Sequence, residues 1–160
     1  MTSTDPVLVL LAETLDGSPD PAAAELIGAA STLGTPVVLA SSVAHAEALG
    51  ALGAAKVAVS ELSLIDAALA AAETFNPTAI ITSHDVRGRD LAARVAVRLG
   101  RAVLTDAVGV RRDEQGIVTD HSNYGGAFTA VAAATHSAPV ITLRLGSVEA
   151  RAEAAAGEVV

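Results

Sequence analysis

A short apolar run, a turn, an amphipathic helical stretch and another short apolar run recur along residues 7–105, and this alternation constrains the fold more than any other feature. Residues 7–12 are continuously apolar between Pro6 and Glu13. A run of that kind reads as a strand buried on both faces. Asp16-Gly17-Ser18-Pro19 is a turn cluster, and Asp20 followed by Pro21 is a helix start. Ala23, Leu26, Ala30 and Leu33 then recur at helical spacing, Gly34 closes the helix and Pro36 blocks its resumption. The unit repeats with strands at residues 37–40, 56–59, 79–82 and 102–105. The helices between them start at Ser42, at Ser63 (where Asp66 completes a capping-box spacing) and near Arg89, the last running over residues 89–99. Asn76-Pro77 and Gly100 are stops. Alternation with connections this short implies right-handed crossovers and a parallel sheet covered on both faces.

Past Asp106 the pattern changes. Residues 107–112, 117–122, 127–134 and 140–144 read as strands with no helices between them, and Asp113-Glu114-Gln115-Gly116 reads as a hairpin turn. The expected fold is α/β: a three-layer, Rossmann-like, mostly parallel sheet with an antiparallel C-terminal edge extension. Residues 1–146 are expected to form the domain and residues 147–160 a linker or tail, with a helix over residues 148–156 as the alternative.

Composition narrows the function classes. Eighteen acids against ten bases give a net charge of −8, and only Phe75, Tyr124 and Phe128 are aromatic. Nucleic-acid binders need basic stripes and stacking platforms, so that class is disfavoured. Alanine fills 36 of 160 positions and mean hydropathy is +0.49, too apolar for a disordered chain. No apolar run approaches the ~20 residues of a membrane-spanning helix. The N-terminus lacks the basic flank of a secretory leader, and the absence of cysteine fits a reducing compartment, so a cytoplasmic location is expected.

Several groups are candidates for chemistry. Ser83-His84-Asp85 follows the fourth strand at the carboxyl edge, where open α/β sheets bind ligands, and Gly88 and Arg89 open the next helix. Adjacent residues do not converge as a catalytic triad, and no Gly-x-Ser-x-Gly elbow is present. The motif is therefore either a turn and helix cap or an edge that meets a ligand or partner. Arg87, Arg89, Arg94, Arg98 and Arg101 gather half of all basic residues into one segment, residues 87–101, which is either a solvated helix face or a surface for an acidic partner. The four histidines lack metal-ligand spacing. No Gly-x-Gly-x-x-Gly or phosphate loop follows the first strand, where Glu13 and Asp16 lie instead. Tyr124-Gly125-Gly126-Ala127-Phe128 places two of three aromatics beside two glycines, as either a tight turn or a contact surface. No catalytic, cofactor-binding or metal residue is assigned.

Read in order, Val7-Leu8-Val9-Leu10-Leu11-Ala12-Glu13, Gly53-Ala54-Ala55-Lys56-Val57, Gly88-Arg89-Asp90-Leu91-Ala92-Ala93-Arg94-Val95-Ala96, Thr105-Asp106, Tyr124-Gly125-Gly126-Ala127 and Pro139-Val140-Ile141-Thr142-Leu143-Arg144 resemble the N-terminal domain of electron transfer flavoprotein alpha subunits. Ala93 departs from the proline that many relatives carry. The resemblance implies a heterodimer with a beta subunit that passes electrons from flavin dehydrogenases to a membrane quinone oxidoreductase or another acceptor. It also implies FAD held mainly in a C-terminal domain, whose Gly-Ile-Ser-Gly and Gln-His segments are absent here. The chain is then expected to be a scaffold without its own cofactor or redox activity, from a truncated form, a proteolytic fragment or a split subunit. It would pack against the beta subunit and the missing flavin domain, and its exposed surface would favour homo-oligomers. The alternative is a stand-alone nucleotide-binding module resembling universal stress proteins, although Gly146-Ser147 lacks the earlier glycines of their motif. A small hydrolase built on Ser83, His84 or Asp85 is disfavoured.

Overall fold

The structure is a computed structural model and describes residues 3–12, 18 and 20–160. The expected turn residues Asp16, Gly17 and Pro19, and the candidate ligands Glu13 and Asp16, lie outside the described residues. Strand β1 (Pro6–Leu10) is buried from Val7 onward. Helix α1 (Ala23–Leu33) follows a lead-in turn in which Asp20 accepts the amide of Ala22 on its carboxylate (2.9 Å) and that of Ala23 on its carbonyl (2.9 Å). Asp20 thus acts one turn ahead of the helix, and Ala22 holds the cap position without a side-chain bond. Next come β2 (Thr35–Ala40), a 3-10 turn that Ser42 caps, α2 (Ala46–Ala51) and β3 (Lys56–Val59).

Helix α3 (Leu64–Phe75) opens at Ser63, whose hydroxyl accepts the Asp66 amide (3.3 Å) and donates to the Asp66 carboxylate (2.6 Å). It ends at Asn76 in the left-handed conformation, which asparagine tolerates. Strand β4 (Ala79–Ser83) leads into α4 (Val86–Leu99). The remaining strands are β5 (Val103–Asp113), β6 (Gly116–Asn123), β7 (Phe128–Ala133), β8 (Val140–Leu143) and β9 (Glu158–Val159).

The strands form one sheet in the order β7-β6-β5-β8-β4-β1-β2-β3-β9. From β8 to β9 all pairs are parallel, while β5–β6 and β6–β7 are antiparallel. Helices α1 and α2 cover one face with a core containing Leu26, Ile27, Leu33, Leu49, Ile81 and Ile141. Helices α3 and α4 cover the other over Leu8, Leu10, Ile80, Leu91 and Val95. The alternating sequence therefore yields the expected three-layer α/β architecture, and the antiparallel strands project from one edge as a flag.

Two expectations are corrected. Residues 102–105 and 107–112 are not separate strands: β5 runs through both, with a register shift against β8 between Leu104 and Ala107. Residues 140–144 do not join the antiparallel extension. Strand β8 inserts parallel between β4 and β5, where Ile141 pairs with both Ile81 and Leu104. Its four residues are all buried, and burial on both faces is the environment that a continuous Val-Ile-Thr-Leu run suits.

Residues 148–156 carry no regular secondary structure, so the helical alternative is not realised. They run instead as a strap over α1 and α2 into β9, which pairs with β3. The buried carboxylate of Glu25, on the first turn of α1, accepts the backbone amides of Gly146 (2.9 Å), Ser147 (3.1 Å) and Val148 (2.9 Å). The Ala155 amide donates to Gly50 O (2.8 Å) and the Gly157 amide to Ala54 O (3.0 Å). Backbone lies so close that a β-carbon at Gly28 would collide with the Ala150 carbonyl. Among the described residues no helix is long and apolar enough to cross a membrane.

Candidate functional site

The chain order reverses between β1 and β4: β2 and β3 are laid down on one side of β1, and β4 on the other. In open α/β sheets the carboxyl edge at this reversal is the default ligand crevice. On the β4 side this edge is formed by Ser83-His84-Asp85.

These three residues have separate structural work. Ser83 is buried at the end of β4, and Gly88 packs on it so tightly that a β-carbon at Gly88 would collide with the Ser83 carbonyl. Asp85 caps α4, its carboxylate accepting the Gly88 amide (2.7 Å). The free amides of a helix start form an anion seat, and here a carboxylate already occupies that end. Arg89 is exposed on the first turn of α4. In the same helix Arg94 pairs with Asp90 (2.9 Å), and just past its end Arg101 donates to Pro77 O (3.4 Å).

His84 belongs to a larger polar cluster. Its Nδ1 lies 2.8 Å from Thr142 Oγ1, and its Nε2 lies 3.7 Å from Asp106 Oδ1. Thr142 Oγ1 also accepts the Asp106 amide (3.0 Å). Arg144 grips Asp106 with two bonds, Nε to Oδ1 (2.8 Å) and Nη2 to Oδ2 (2.6 Å). The same Nη2 donates to Ser122 O on β6 (3.1 Å). Asp106, Thr142 and Arg144 carry this cluster, yet none was singled out for chemistry from the sequence. The missing signal was the direction of β8: once parallel, its end meets the ends of β4 and β5.

The bonded Arg144 guanidinium holds the Asp106 carboxyl below the usual carboxylate range. Partial burial opposes this, and the nearby His84, Arg144 and His121 reinforce it. The same bond raises the Arg144 guanidinium. A carboxyl depressed on folding contributes stability above its unfolded pKa of about 3.9 and loses it as pH falls through the folded value. Asp106→Asn should therefore be less stable than wild type by a constant margin well above the unfolded pKa, and the margin should shrink as pH falls below that value and close once it passes the folded one. Urea unfolding at several pH values reads this. A margin unchanged in acid would mean that Asp106 acts by shape alone.

In the connection between β6 and β7, at the end of β6 that pairs with Ala107, Tyr124 and Phe128 meet edge to face, their ring centroids 5.9 Å apart at 78°. Tyr124, Gly125 and Gly126 all have positive φ, which makes the β6–β7 connection a tight turn. The rings do not enter a core. Tyr124 is 87% exposed, Phe128 65% and Val131, also on β7, 60%. Among the described residues no strand pairs with the other edge of β7.

Fold and cluster together define a three-layer α/β domain with an open antiparallel flag. The electron transfer flavoprotein domain profile matches residues 7–160. The chain is 38% identical over 165 residues to electron transfer flavoprotein subunit alpha of Mycobacterium tuberculosis, in strains CDC 1551 / Oshkosh and H37Rv. It is 35% identical over 164 residues to the same subunit of Mycobacterium leprae strain TN. Each match covers 94% of this chain and 51% of the relative, so the chain spans about half the length of the curated relatives it matches. The chain belongs to the electron transfer flavoprotein family.

The family name implies a flavin, and the start of α4 does not fit the pyrophosphate of one. The start of α4 is filled by the Asp85 carboxylate, and Gly88 is jammed against Ser83 rather than opening a cradle for a pyrophosphate.

Proposed function

We propose that this chain is the N-terminal scaffold of an electron transfer flavoprotein alpha-type subunit. It docks a beta-type subunit through the flag and carries a flavin-binding domain belonging to the remainder of the subunit. In this reading residues 1–146 form the body of the domain, and residues 147–160, strapped across α1 and α2 into β9, are the segment that leads to the next one. The complete heterodimer carries electrons from flavin dehydrogenases to a quinone oxidoreductase or another acceptor, in the cytoplasm. FAD belongs to the other domain, and this portion alone has no redox activity. The observation that carries the reading is the exposed Tyr124–Phe128 pair on an unpaired sheet edge. Exposed aromatics flanked by glycine turns suit an association surface, because rings bury large area at small entropic cost. The relatives' designation as alpha subunits supports the choice of partner.

The test is light scattering on wild type and on Tyr124→Ala/Phe128→Ala, with and without the beta subunit from the same genome. Wild type should form a one-to-one complex, and alone it should self-associate through the open flag. The double variant should bind the beta subunit at least about tenfold more weakly and stay monomeric alone. Unchanged association in both settings would leave Tyr124 and Phe128 as turn residues and remove the docking reading.

A further inference from the structure

The flag leaves the parallel sheet at one point, and the polar cluster sits there. Strand β5 pairs in parallel with β8 at Val103 and Leu104, loses register, and from Ala107 pairs antiparallel with β6. Asp106, at the break, has φ +60°, a conformation that non-glycine residues keep only when their surroundings enforce it. Its surroundings do so on two sides. Thr142 Oγ1 takes its amide, and Arg144 takes its carboxylate with a two-pronged grip.

Arg144 continues past Asp106 to the Ser122 carbonyl, while its own amide donates to Ala107 O (2.8 Å). One residue therefore ties together the end of β8, the break in β5 and the last turn of β6. The planar guanidinium makes this a matter of angle as well as attraction, since its donors lie in a fixed fork. A second arginine braces the flag farther out: Arg112 Nη2 donates to Leu33 O at the end of α1 (3.2 Å), where a helix favours positive charge.

We propose that Asp106 and Arg144 are positioning residues that set the angle at which the flag is presented to the beta-type subunit. This rests on the docking reading above. Neither residue need touch the partner. The aromatic pair begins just past this same end of β6, Tyr124 lying two residues beyond the Ser122 carbonyl that Arg144 holds, so a shift at the root carries directly into the turn that presents the rings. A preset angle spares the complex the cost of ordering the flag on binding.

The experiment compares the affinity of the chain for the beta subunit from the same genome, and hydrogen exchange of the free chain, across four proteins. These are wild type, Arg144→Gln, Arg144→Lys and Asp106→Asn. Arg144→Gln should weaken binding about tenfold. Exchange should accelerate in residues 107–133 while the amides of β1, β2 and β4 keep wild-type protection. Arg144→Lys keeps the charge but loses the fork, and should restore only part of the affinity. Asp106→Asn keeps the backbone conformation and should fall between wild type and Arg144→Gln; it decides the matter if Arg144→Gln does not fold. Should Arg144→Gln and Asp106→Asn bind like wild type while Tyr124→Ala/Phe128→Ala does not, the positioning role is wrong and the docking reading stands. Should the aromatic variant bind like wild type, the docking reading fails, and the positioning role with it.

Discussion

Replacing Ile141 by alanine is expected to cost about 4 kcal/mol of stability, near the upper end for a buried isoleucine. The reason lies in how the core is filled. The helix faces against the sheet are largely alanine: Ala23, Ala29 and Ala30 on α1, Ala67, Ala68, Ala71 and Ala72 on α3, Ala92 and Ala96 on α4. Small helix residues let the layers approach closely, and the strands supply most of the bulk. Ile141 is fully buried at the centre of the sheet, between Ile81 on β4 and Leu104 on β5. Alanines opposite it have no side chain with which to refill the space, so most of the cavity should persist. Urea unfolding should show a lower midpoint with an unchanged slope. A loss below about 1.5 kcal/mol would mean that the layers collapse onto the vacancy.

Glu25→Ala should be the second most damaging change, at about 3 kcal/mol. Three backbone amides converge on this buried carboxylate. Charge-assisted bonds of this kind contribute about 1.5–3 kcal/mol each, but the released strap can recover water, so the net loss falls well below the sum. Hydrogen exchange would show the mechanism: residues 146–157 should lose protection while β1 and β4 keep theirs. Glu25→Gln retains an accepting oxygen and should lose roughly half as much. If the alanine variant keeps slow exchange at Ala155 and Gly157, the β3–β9 pairing rather than Glu25 holds the strap.

What was legible in the sequence was what neighbours along the chain decide. The Lys56–Val59 strand, the Ser63 cap and the Asn76 stop depend on residues within one turn of themselves, and the structure has all three. The place of Val140–Leu143 in the sheet depends on pairing with strands 36 to 60 residues earlier, and no local pattern fixes that order. Its β-branched, mostly apolar run without alternation was nonetheless a hint of a central strand, because an edge strand usually alternates. The same limit governs the site. Ser83, His84 and Asp85 were placed at the carboxyl edge, but their neighbours Asp106, Thr142 and Arg144 became neighbours only through the position of β8. The strap was harder still. Glu25 reads as an ordinary acid in a helix's first turn, and the one local oddity was Gly28, a residue costing about 1 kcal/mol in a helix interior unless something passes close by.

The strap also decides how the molecule bears load. Strand β7 and strand β9 are the outermost of nine, so the flag and the end of the strap sit roughly 40 Å apart at ordinary strand spacing. Chain attached after Val160 would pull first on the two-residue ladder between β9 and β3, then on the three amides seated at Glu25. That anchorage acts as a strain relief. In the reading proposed above, the tug of an attached domain would end on α1 rather than reach the opposite edge of the sheet.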